Sequence, residues 1–192
     1  MQASERDEFV RILRAGGVIA CPTETLQGLL ADALDPRAVA RVVALKRRGD
    51  DPIALLLPEL GAVSGLIEGE LPAAARALAE EHWPGPLTLV LRARSGLSPA
   101  LAPLGTIGVR VPGTSPALDL VRAFGAPLTA TSCNLSGQPP ARTQAEVLAY
   151  FAGQLDGVVP GDAPGGPPST VVDASGPTLR ILRQGAVHVP GA

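Results

Sequence analysis

The chain contains one lysine, Lys46, in the run Lys46-Arg47-Arg48, and its other fifteen basic side chains are all arginine. Its one asparagine, Asn134, falls inside Thr131-Ser132-Cys133-Asn134-Leu135-Ser136-Gly137. In a sequence dominated by Ala, Gly, Pro, Leu and Arg, a residue type used once meets a need that its usual substitute does not. Lysine offers a compact point charge with three donors, arginine a planar fork. An ammonium beside arginines suits phosphate groups, where one cation clamps a branched anion and another follows the moving charge. The competing reading is a helix C-terminus rich in cations, which the helix dipole favours. Composition alone leaves both open.

Further polar segments interrupt apolar runs. Pro22-Thr23-Glu24-Thr25 follows a short apolar stretch, and Gly108-Val109-Arg110-Val111-Pro112 carries an arginine inside one. Ser132 to Gly137 and Pro168-Ser169-Thr170 add hydroxyls, and Leu182-Arg183-Gln184-Gly185 adds a cation. A charge within an apolar strand needs an anionic partner. For Arg110 that partner is either a ligand or an internal carboxylate such as Asp119 or Glu59. Singly, each segment is best explained as an ordinary turn or loop. Jointly, polar loops after several strands of one small sheet favour a shared anionic ligand at the strands' carboxyl ends. No Gly-x-x-x-x-Gly-Lys-Ser/Thr loop and no Gly-x-Gly-x-x-Gly follows the first strand, and neither His82 nor His188 has a nucleophile nearby in sequence.

The elements that must position these residues can be read from periodicity and caps. Ser4 is placed to cap a helix reaching about Arg14, with Phe9, Val10, Ile12 and Leu13 inward. Val18 to Cys21 reads as a buried strand. Asp35-Pro36 opens a second helix that ends near Lys46. Ile53 to Leu57 reads as a strand covered on both faces. Pro72 to His82 is a helix, Leu87 to Leu91 and Ile107 to Val111 are strands, and Ser115-Pro116 opens a helix to Phe124. Pro127 to Ala130 is a strand, and Thr143 with Glu146 forms a capping box for a helix to Phe151. Pro160 to Pro168 is Gly/Pro-rich and reads as a mobile loop, while Val171-Val172 and Leu179 to Leu182 close the sheet. Alternating strands and helices predict an α/β fold with a mixed sheet.

At 192 residues and a formal charge of −2, the chain is expected to form one domain, residues 1–192, without a generally basic nucleic-acid coat. No uninterrupted apolar stretch is long enough for a membrane helix. The charged start, Met1 to Glu8, lacks the build of a signal peptide, and two cysteines fit a reduced, cytoplasmic chain.

In their order, Pro22-Thr23-Glu24-Thr25, Lys46-x-Arg48, Trp83-Pro84-Gly85-Pro86-Leu87-Thr88, Val109-Arg110-Val111-Pro112, Ser132-x-Asn134-Leu135-Ser136-Gly137, Pro168-Ser169-Thr170 and Leu182-Arg183-x-Gly185 resemble the YrdC/Sua5 family. The resemblance runs from about Phe9 to Gly185, and the length is similar to the short bacterial form. It implies a twisted mixed sheet with flanking helices around a positively lined cavity. It also implies an L-threonylcarbamoyladenylate synthase, making threonylcarbamoyl-AMP and pyrophosphate from ATP, L-threonine and bicarbonate or CO2. The product would pass to threonylcarbamoyl-transferase proteins that modify adenosine 37 of tRNA. By motif, Thr25, Arg110, Ala130 and Ser169 would hold threonine. Lys46, Arg48, Asp51, Thr106, Ser132, Asn134, Pro140 and Arg183 would surround ATP, with Lys46 and Arg48 steadying the reacting triphosphate. Mg2+ would be held mainly by the phosphates, with no protein metal ligand assigned. Gln27 stands where the family usually has an aromatic residue, Leu30 and Gly49 replace a typical glycine and proline, and Cys133 replaces a common alanine. The alternative is a non-catalytic nucleotide- or RNA-binding module of the same fold.

Overall fold

The computed structural model describes residues 1–47 and 52–189. Helix α1 (Ala3–Arg14) starts ahead of the expected Ser4 cap. Gln2 occupies the cap position, and its N–H is bonded to the Glu5 carboxylate at 3.1 Å. The other caps follow the sequence. Helix α2 (Pro36–Lys46) begins at Asp35, whose carboxylate accepts from the Arg37 N–H at 2.9 Å. It stops at Arg47, held in the left-handed region at φ 48°. Helix α3 (Ala73–His82) leads into the Trp83-Pro84-Gly85-Pro86 turn. Ser115 caps α4 (Pro116–Phe124), which ends at Gly125 with φ 77°. Thr143 and Glu146 form the expected capping box of α5 (Gln144–Phe151).

The strands are β1 (Ile19–Pro22), β2 (Gln27–Leu30), β3 (Ala54–Leu56), β4 (Leu87–Arg92), β5 (Thr106–Arg110), β6 (Leu128–Ser132), β7 (Gly157–Val158), β8 (Thr170–Asp173) and β9 (Arg180–Arg183). Among the described residues they form one sheet in the order β7-β1-β2-β6-β3-β5-β4-β8-β9. Pairs β1–β7, β3–β5 and β4–β8 are parallel and the others antiparallel, so the sheet is mixed, as expected from the sequence. Strands β2 and β7 and a 3-10 turn at Leu60–Gly65 have no counterpart in the sequence reading.

One face of the sheet is the core. Leu29, Leu55, Leu87, Leu89, Ile107, Val109 and Val172 point into it, and Leu13, Val39, Val42, Leu120, Val121 and Phe151 meet them from the helices. Helices α1 and α4 pack on each other and on β1. Each such side chain removed from water contributes roughly 1.5–3 kcal/mol. Thr129 enters this layer with its hydroxyl donated to Leu29 O at 3.1 Å. Ile53, Leu55, Leu56 and Leu57 are buried, as expected of a strand covered on both faces. Leu55 lies in the core, while Ala54 and Leu56 line a cleft on the other side. The Pro160–Pro168 loop is tethered rather than adrift. Ala163 N–H donates to Arg142 O at 2.8 Å, Gly161 O accepts from Gln27 at 2.8 Å, and Asp162 accepts from Gln144 N–H at 2.9 Å.

Three carboxyls in these caps and turns sit below their ordinary pKa. Asp35 is lowered chiefly by the Arg37 N–H, Glu146 by the N–H groups of Arg142 and Thr143, and Asp173 by the Ser175 hydroxyl. A folded-state pKa below the unfolded one gives stability that is present above the unfolded value and lost as pH falls through the folded value. The melting temperature should therefore drop as pH falls below the ordinary values of 3.8 for Asp and 4.5 for Glu. Asn and Gln keep the capping oxygens without titrating. Calorimetry of Asp35→Asn/Glu146→Gln should show a shallower acid-side slope, and an unchanged slope would clear these caps of the effect.

Candidate active site

The face of the sheet opposite the core forms a cleft of about 590 Å3. Its floor follows the two-residue period of the strands. Gly28 and Leu30 come from β2, Ala130 and Ser132 from β6, and Ala54 and Leu56 from β3. Thr106, Gly108 and Arg110 come from β5, Thr88 and Val90 from β4, and Arg183 from β9. The expected location at the strands' carboxyl ends is thus only partly right, because most of the lining is the sheet face itself.

At one end, the β1–β2 turn presents Thr25. Thr23 organises that turn: its hydroxyl donates to Leu26 O at 2.8 Å and accepts from the N–H groups of Thr25 and Leu26, each at 3.2 Å. Glu24 in the same turn accepts from the Arg110 guanidinium at 2.8 Å. The partner of Arg110 is therefore Glu24, not Asp119 or Glu59, which sequence distance had hidden. The other Glu24 oxygen, Oε2, is buried without a partner among the described residues. Burial pulls the Arg110 guanidinium below its ordinary pKa; the Glu24 charge opposes this and the Arg183 charge adds to it. Two guanidiniums that repel across one cleft are stabilised by an anion between them.

Ser169 ties this end together. Its hydroxyl lies 3.1 Å from the Thr88 hydroxyl and accepts from Arg183 at 3.1 Å, while Ser169 O accepts from Arg183 Nε at 3.1 Å. Gly185 explains the Arg183-x-Gly185 spacing. A Cβ there would run into the Pro168 carbonyl and the Ser169 backbone, so only glycine lets the chain pass against the Ser169 segment.

Lys46 takes a different place from the one its chemistry suggested. It is buried and does not line the cleft; its ammonium donates to Ser132 O at 2.6 Å, Asn134 O at 2.9 Å and Asn134 Oδ1 at 3.0 Å. The Lys46 carbonyl, at the helix end, accepts from Ser136 N–H at 3.0 Å. Asn134 is likewise turned inward, donating to Leu135 O and Gln138 O at 2.9 and 2.7 Å. The chain's single lysine and single asparagine thus meet each other and hold the loop after β6 in shape. Ser132, Thr106, Pro140 and Arg183 line the cleft with the four threonine-site candidates, Thr25, Arg110, Ala130 and Ser169. Arg48 and Asp51 lie outside the described residues.

Thr88, Glu24, Gln27 and Arg142 are site residues without an assigned role in the sequence reading. Thr88 had a signal, a hydroxyl alternating with leucines in a strand; Arg142, ahead of a capping box, had none. Both cysteines are buried, and burial raises both thiols, so neither is a nucleophile at neutral pH.

The Sua5/YciO/YrdC family model, described as "Telomere recombination", matches residues 11–185. The chain belongs to this family. It is 39% identical over 153 residues to the threonylcarbamoyl-AMP synthase of Cellvibrio japonicus, covering 78% of this chain and 80% of that one. The crystal structure of P. abyssi Sua5 complexed with L-threonine superposes with a TM-score of 0.91 at 33% identity, over 96% of this chain and 55% of that chain. E. coli YciO superposes with a TM-score of 0.88 at 27% identity, over 98% and 93% of the two chains. The chain therefore spans about half the length of the Sua5 protein. The α/β architecture expected from sequence, a mixed sheet with flanking helices, is that of the Sua5/YciO/YrdC family.

Proposed function

We propose that this chain is an ATP-dependent L-threonylcarbamoyladenylate synthase, a nucleotidyltransferase. The observation that carries the reading is convergence: eight of the candidate residues, drawn from segments between Thr25 and Arg183, line one cleft. The threonine amine adds to CO2, giving a carbamate and releasing a proton. A carbamate oxygen then attacks the α-phosphorus of ATP, the new P–O bond forms, the bond to the bridging oxygen breaks, and pyrophosphate leaves. No protein nucleophile is required; catalysis is positioning and charge stabilisation.

In this reading Arg110 receives the threonine carboxylate, Thr25 and Ser169 bond its polar groups, and Ala130 shapes the floor. Thr106, Ser132, Pro140 and Arg183 receive the nucleotide, with Arg48 and Asp51 as further ATP contacts. Lys46 and Asn134 act by shaping the Ser132 loop. Magnesium enters as MgATP. Phosphate oxygens are hard donors and would hold most of its coordination, with no protein ligand assigned. The product passes to threonylcarbamoyl-transferase proteins acting on tRNA in the cytoplasm.

The test is pyrophosphate release with ATP, L-threonine and bicarbonate, each omitted in turn. Release should require all three. Binding of ATP with no threonine-dependent release would favour the non-catalytic nucleotide- or RNA-binding module instead.

A further inference from the structure

Three guanidiniums line the cleft, those of Arg110, Arg142 and Arg183, and no carboxylate lines it among the described residues. Arg110 is matched by Glu24, and Arg183 is bonded to Ser169. Arg142 differs from both. Its side chain makes no hydrogen bond or ion pair among the described residues, while its backbone is held on both sides. Its N–H donates to the Glu146 carboxylate at 2.7 Å, and its carbonyl accepts from Ala163 N–H at 2.8 Å and from Gln27 Nε2 at 3.4 Å. Glu146, the neighbouring carboxylate, accepts hydrogen bonds from the backbone N–H groups of Arg142 and Thr143 and meets the Arg142 charge only through space, without a hydrogen bond or ion pair to the guanidinium.

The Arg142 side chain lies along Gly165, where a Cβ would stand 3.5 Å from its Cδ and Nη1. Gly165 sits at φ 76° in the tethered loop. Gln27 lines the same cleft at 1% exposure, ties Arg142 O to Gly161 O through its Nε2, and leaves its buried Oε1 without a donor among the described residues. A backbone pinned at both sides, carrying a planar fork that makes no hydrogen bond or ion pair among the described residues along a cationic cleft wall, is built to meet an anion from outside.

We propose that Arg142 is a further phosphate-binding residue of this cleft, gripping the triphosphate chain of the nucleotide, and that Gln27 is the positioning residue that holds it. Neither residue belongs to the set that the family resemblance implies, and Gln27 stands where an aromatic residue is usual. The proposal rests on the reading of the cleft as a nucleotide site.

The test uses the full chain and calorimetric titration with MgATP, inorganic tripolyphosphate, adenosine and L-threonine. Arg142→Ala should weaken MgATP and tripolyphosphate by about tenfold each, with Arg142→Lys recovering part of the loss. Adenosine affinity, threonine affinity and melting temperature should be unmoved, since the side chain is exposed and unbonded. Gln27→Met should weaken the same two phosphate ligands and spare threonine. Unchanged phosphate affinities in Arg142→Ala, or no tripolyphosphate binding by the parent chain, overturn the proposal. Loss confined to adenosine and ATP also overturns it, by placing Arg142 on the nucleoside. If tripolyphosphate binding depends on Arg142 but no threonine-dependent pyrophosphate appears, the phosphate site stands and the synthase reading falls.

Discussion

Arg110→Ala is expected to lower kcat/KM for threonine on the order of a hundredfold, because a bond from a charged donor to a carboxylate contributes about 3 kcal/mol in such a site. The KM for ATP should change far less. The same substitution strands the Glu24 carboxylate, whose side chain is only 13% exposed and whose other oxygen already lacks a partner. Breaking a buried pair from one side is costly, about 3 kcal/mol here. A melt alone would therefore confuse folding with function. The Arg110→Ala/Glu24→Ala chain separates them: removing both charges should restore much of the stability but none of the threonine use. Equal losses of ATP and threonine affinity in that double variant would assign Arg110 to the nucleotide or the fold.

Lys46→Arg is expected to lower turnover by two orders of magnitude or more and to reduce stability as well. Three protein oxygens, between 2.6 and 3.0 Å away, converge on the ammonium. A planar fork on a longer stem cannot place donors at all three from the same backbone position. Each bond to a charged donor contributes about 1.5–3 kcal/mol. The loop that distorts carries Ser132, so the KM for ATP should rise while threonine binding, measured directly, stays near the parent value. That split separates a loop-positioning role from general unfolding. Near-normal turnover in Lys46→Arg would refute it.

Much of the fold was legible because caps and breakers act locally. Ser115-Pro116 with Gly125, and Thr143 with Glu146, bound their helices by satisfying orphan N–H groups within a few residues, and α4 and α5 lie where those residues put them. Strand β2 was missed because Gln27-Gly28-Leu29-Leu30 has a glycine and no clean alternation, and its stability comes from pairing with β1 and the distant β6. Strand β7, two residues long, exists only through its pairing with β1.

The candidate site divides the same way. The residue types themselves were determined by sequence: an arginine inside an apolar strand, hydroxyls after strands, a lysine and an asparagine each used once. Which of them meet was decided by the tertiary structure alone. Arg110 and Glu24 are 86 residues apart, as are Lys46 and Ser132. They touch because the order β2-β6-β3-β5-β4-β8 lays distant segments side by side, with every second residue of each facing the same cleft. Composition marked Lys46 and Asn134 as special but not which way they point. That direction depends on which acceptors lie within reach after the chain has folded, and hydrogen bonds at about 3 Å are settled by packing, not by residue type.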